Sequence, residues 1–106
     1  MSFLISHRYG GDDRDPPLTA LGPLLDEVDQ DPADIEHTSV SVTHESGWCL
    51  GIYKSWRVTL ENLDDLDVQP RHLNLGADRA AVLEPMRTTA DGGLESLFTR
   101  DWQPGY

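Results

Sequence analysis

The chain has 106 residues with 19 Asp plus Glu against 8 Lys plus Arg, a formal net charge of −11, and a mean hydropathy of −0.47. Such a balance opposes binding of a nucleic-acid backbone, which needs cationic surface to release counterions, and opposes docking on anionic lipid. A single cysteine, Cys49, excludes an intramolecular disulfide framework and a multi-thiolate zinc site, and no apolar run is long enough to cross a bilayer.

Length and composition predict one domain spanning residues 1–106, with a cytoplasmic location as the default in the absence of a secretory leader. The charge is uneven. Residues 1–53 carry two cations and ten acids, whereas residues 54–106 carry six and nine. No Lys or Arg occurs between Arg14 and Lys54. Such a run reads either as a solvated face that aids solubility or as a carboxylate surface presented to a cationic partner.

In chain order, Phe3–Tyr9 has strand composition and ends at Gly10-Gly11, and Asp12–Pro17 reads as a polar turn. Leu18, Leu21, Leu25 and Val28, with Leu24 beside them, recur at helical spacing and predict a helix over about 18–29. Pro23 disturbs its start, because proline lacks the N–H and clashes one turn back. From Glu36 the period becomes two. Val40, Val42 and His44 fall on one face, and Ser39, Ser41, Thr43 and Glu45 on the other.

Beyond the Glu45-Ser46-Gly47 turn, Trp48, Leu50 and Ile52 alternate with Cys49, Gly51 and Tyr53. Then Trp56, Val58 and Leu60 alternate with Arg57, Thr59 and Glu61. This is a three-stranded antiparallel meander. An acidic loop over 62–70 leads to a short strand at 72–75, a helix over 77–90 disturbed by Pro85, a stop at Asp91-Gly92-Gly93, and a last short helix marked by Leu94, Leu97, Phe98 and Trp102. The predicted fold class is α+β: an antiparallel sheet of four to five strands with two or three helices packed on one face.

No motif declares a reaction. His7, His37, His44 and His72 lack metal-ligand spacing, and neither a metal nor another cofactor is predicted. If the Val40 and Trp48 faces both look inward, Cys49 and His44 point apart and cannot form a nucleophilic pair. Convergence of His7, His44 and His72 would instead make an acid–base pocket between sheet and helices, and so a small enzyme or ligand-binding domain. Tyr53 shares its face with Ser39, Ser41, Thr43, Arg57, Thr59 and Glu61, a polar surface suited to contact with a partner.

The stretch from Val40-Ser41-Val42 through the Trp48–Ile52 and Trp56–Leu60 strands, the helix near Ala80–Met86, Gly92-Gly93 and Trp102 resembles small acidic immunity proteins of actinobacterial polymorphic-toxin systems. The resemblance implies a non-catalytic inhibitor that covers the active site of a basic toxin. Asp26, Glu27, Asp29, Asp31 and Asp34 are then the first candidate contacts, ahead of the loop acids. A homodimer formed through an exposed strand edge is compatible with either reading.

Overall fold

In the computed structural model, residues 3–8, 10–28, 39–53, 56–65, 67–74 and 79–105 are described. They form strands β1 (Phe3–Ser6) and β2 (Asp12–Arg14), a 3-10 turn (Leu18–Ala20) running into helix α1 (Leu21–Glu27), strands β3 (Ser39–His44), β4 (Trp48–Tyr53), β5 (Arg57–Asn62) and β6 (Arg71–Asn74), helices α2 (Arg79–Asp91) and α3 (Leu94–Phe98), and strand β7 (Gln103–Pro104). The strands make one antiparallel sheet in the order β2-β1-β3-β4-β5-β6-β7. The α+β class and the meander therefore hold, but the sheet has seven strands rather than four or five.

Both additional strands are short edges. Gly10 and Gly11 take positive φ values of 92° and 87°, which glycine adopts at little cost. The chain thereby reverses within a few residues, and Asp12–Arg14, expected as a turn, lies antiparallel to Leu4–Ser6. All three residues of β2 are exposed, so no alternation of apolar and polar residues marks the strand. At the far edge, β7 ends in Pro104, which has no N–H to offer a further strand.

The period-two pattern decides the two faces. Ile5, Val40, Val42, Leu50, Ile52, Val58 and Leu60 lie on one side and join Leu21, Leu24, Leu25, Val28, Val82, Met86, Ala90 and Leu97 from the helices in a single buried core. Register aligns them: Ile5 opposite Val42, Val42 opposite Leu50, and Leu50 opposite Leu60. Burying one such aliphatic side chain stabilises the fold by roughly 1.5–3 kcal/mol. No described helix covers the other face.

The prolines resolve simply. Pro23 is the third residue of α1, within the first turn, where an N–H has no intrahelical acceptor. Pro85 sits inside α2, which stays one helix rather than dividing. Downstream of it, the Thr88 and Thr89 hydroxyls donate back to the Glu84 and Pro85 carbonyls. Helix α2 stops as expected: Gly92 has φ 78°, and the Gly93 and Gly92 N–H groups return to the Thr88 and Thr89 carbonyls. This is the glycine C-terminal cap described by Schellman. Trp56 departs from the predicted alternation. It occupies the turn before β5 with φ 62°, although its side chain still packs against the core.

Candidate functional site

The three histidines of the predicted pocket are not brought together. His44 lies opposite Phe3, on the helix side at one end of β3. His7 follows the opposite end of β1, and His72 lies on β6, across the sheet from both. Each has its own local partner. His44 Nδ1 accepts from the Ser46 hydroxyl (2.8 Å) and the Ser46 N–H (3.2 Å). His72 Nδ1 donates to the Gly105 carbonyl at 3.0 Å, tying the C-terminal segment to β6. His37 lies outside the described residues. Among the described residues no cluster of His, Cys, Asp and Glu has the form of a metal site.

His7 is held between two carboxylates. Its Nδ1 lies 2.7 Å from Glu27 Oε2, and its Nε2 lies 2.7 Å from Asp13 Oδ2. Both ring nitrogens face carboxylate oxygens, so the imidazolium satisfies both contacts and is the form this site favours. Its pKa is raised above the ordinary 6.5, first by the hydrogen bond to Asp13 and then by that to Glu27. The neighbouring Arg8 is buried, 3% exposed. It donates from its backbone N–H to Glu27 Oε1, and from its guanidinium to the Glu27 and Val28 carbonyls at the end of α1. A cation here satisfies carbonyls that the helix leaves open and opposes its negative end.

The acidic candidates separate accordingly. Glu27 is engaged by His7 and Arg8, with its side chain only 18% exposed, so this carboxylate ties α1 to the β1–β2 hairpin. Asp26 is exposed on α1. Asp29, Asp31 and Asp34 lie outside the described residues.

The loop acids, ranked second from sequence, stand in a defined arrangement. Asn62 Oδ1 accepts the N–H groups of Asp64 (2.9 Å) and Asp65 (3.1 Å), and Asp65 Oδ1 accepts that of Asp67. The Leu63 N–H bonds the Gly47 carbonyl at 2.8 Å, which joins this loop to the β3–β4 turn. A Cβ on Gly47, whose φ is 94°, would fall 2.6 Å from Asp64 Oδ2. The backbone angle favours glycine, and a Cβ would also displace the Asp64 carboxylate and the Asn62 Oδ1 that organises the loop. Glu45, Asp64, Asp65 and Asp67 are all exposed at this end of the sheet. Among the described residues no Lys or Arg forms an ion pair with any of them.

The sheet face that no described helix covers carries Tyr53, as the alternation implies. Tyr53 is half-buried, and its ring leans along the strand to within 3.5 Å of where a Gly51 Cβ would stand. On the other side of Gly51, Thr59 Oγ1 would lie 2.8 Å from that Cβ, which accounts for glycine in mid-strand. Cys49 belongs to this face and His44 to the other, so the two point apart, as the alternation implies. The thiol is buried. Burial raises its pKa, and hydrogen bonds to Thr43 and Ser41 oppose that rise only in part. A thiol kept protonated is a poor nucleophile.

Each sheet edge carries a feature that disfavours a further strand: two exposed carboxylates, Asp12 and Asp13, on β2, and Pro104, which has no N–H to donate, on β7. No helix among the described residues is long and apolar enough to cross a membrane. Compared with known proteins, the chain matches no family model, no curated protein and no solved structure.

Proposed function

We propose that the protein is a non-enzymatic binder of a basic protein partner, and in its most concrete form an immunity protein that covers the active site of a basic toxin. The observation that carries this reading is the group of exposed carboxylates Glu45, Asp64, Asp65 and Asp67. The loop is organised by Asn62 and bonded to the β3–β4 turn, and no cation among the described residues neutralises it. Holding like charges together costs stability through self-repulsion, and a cationic surface relieves that cost on binding. The same field steers a basic partner and accelerates encounter in a salt-dependent way. Tyr53, on the face that no described helix covers, supplies an aromatic contact within polar surroundings.

The test uses the protein as bait for native lysate at low and then high salt, beside a variant carrying Glu45→Gln, Asp64→Asn, Asp65→Asn and Asp67→Asn. These amides keep the turn-forming oxygens and remove the charge. The expected result is one basic protein that the wild type captures and salt releases, that the variant fails to hold, and whose own activity the wild type inhibits. A partner indifferent to both salt and neutralisation, or no partner at all, overturns the reading.

A further inference from the structure

A different edge of the molecule carries a second site. Between β6, β7 and α3 lies a cleft of about 330 Å³, walled by Pro70, Phe98, Trp102 and Pro104, with Arg71 and Arg100 on its lining. Two arginines in one cleft are notable in a chain with a net charge of −11.

Aromatic rings, and not carboxylates, hold Arg71 in place. Its guanidinium carbon lies 5.8 Å from the Trp48 ring centroid and 5.7 Å from that of Phe98. The two rings meet edge to face at 4.7 Å. This orients the guanidinium through cation–π attraction while leaving its N–H donors uncommitted to any carboxylate among the described residues.

Among the described residues Arg100 has one ion pair, at 3.5 Å to Glu84, whose side chain is 73% exposed. That geometry is weak and solvent-screened. The far wall is fixed: Trp102 Nε1 donates to the Leu97 carbonyl at 2.9 Å, and the Gly105 N–H donates to the Pro70 carbonyl at 2.9 Å. Flat apolar walls with one guanidinium held on aromatic faces and a second only weakly paired suit a planar body bearing an oxyanion. The volume falls at the lower end of the range for small-molecule sites.

We propose that this cleft binds a small aromatic carboxylate, its ring between Phe98 and Trp102 and its carboxylate on Arg71 and Arg100. The site is separate from the acidic end of the sheet, so it stands whether or not a basic protein binds there.

The experiment titrates the 15N-labelled protein with 2-naphthoate, 2-naphthamide and inorganic phosphate, and reads amide, arginine Nε–H and tryptophan Nε1–H shifts. Naphthoate is expected to give saturable shifts confined to residues 69–71 and 98–104, with the uncharged amide at least about tenfold weaker, as loss of a charge-assisted hydrogen bond implies. Arg71→Gln and Arg100→Gln should each weaken binding by about tenfold. Arg87→Gln, at an exposed position on α2, should leave it unchanged. Glu84→Gln should strengthen binding by roughly twofold, because the ligand no longer competes for Arg100. Equal binding of acid and amide, or of naphthoate and phosphate, overturns the proposal. So does the absence of saturation by about 10 mM naphthoate. The ligand comparison and Glu84→Gln decide the matter even if Arg71→Gln fails to fold.

Discussion

The two lateral edges of the sheet use cations in opposite ways. At the β1–β2 edge, His7 and Arg8 are held by Glu27, Asp13 and the end of α1, so these charges are spent on joining a hairpin to a helix. At the β6–β7 edge, Arg71 rests on Trp48 and Phe98, and among the described residues Arg100 pairs only with an exposed Glu84. A buried cation among carbonyls and carboxylates is structural, because removing it strands partners that water cannot reach. A cation held on aromatic faces keeps its hydrogen-bonding capacity for something outside the chain.

The largest expected effect comes from the enclosed edge. Arg8→Ala keeps the backbone N–H bond to Glu27 Oε1 but leaves the Glu27 and Val28 carbonyls without their guanidinium donor. It should cost about 3 kcal/mol in urea unfolding. At the open edge, Arg71→Met removes an arginine of similar size but loses chiefly the cation–π contact, and should cost no more than about 1 kcal/mol. Equal losses at the two positions would break the contrast.

His7 sharpens it through pH. Its folded-state pKa is raised above 6.5, so its stabilising contribution is complete below that value and disappears as pH rises through the elevated pKa. Between pH 6.5 and 8.5 the Tm of the wild type should fall more than that of His7→Gln, which shares every other titrating group. Parallel curves would mean that the two carboxylates do not hold the imidazolium. The smallest effect is at Glu84. Glu84→Gln should change stability by less than about 0.5 kcal/mol, since its pair with Arg100 is long and exposed.

Legibility in the sequence followed burial. Where one face of a strand is buried, alternation had to be kept, so Val40–His44, Trp48–Tyr53 and Val58–Leu60 reveal both the strands and which side chains share a face. The separation of Cys49 from His44 follows from the same constraint. Strand β2 has no buried face and β7 has two residues, so neither leaves a pattern to read. Trp56 fits the alternation by type, yet its positive φ places it in a turn.

Among the candidate site residues, residue type alone did not distinguish Glu27, consumed by His7 and Arg8, from the loop acids, which pair with no cation among the described residues. Charge sign, the apolar periods and the glycine stops are properties of the chain itself, because each expresses a local requirement of backbone or solvent. Partnership is not local. His7 meets Glu27 across 20 residues, and Arg71 meets Trp48 and Phe98 across separations of 23 and 27. Only the stacking of α1 and α3 against the sheet decides which charges are spent within the fold and which remain at its surface.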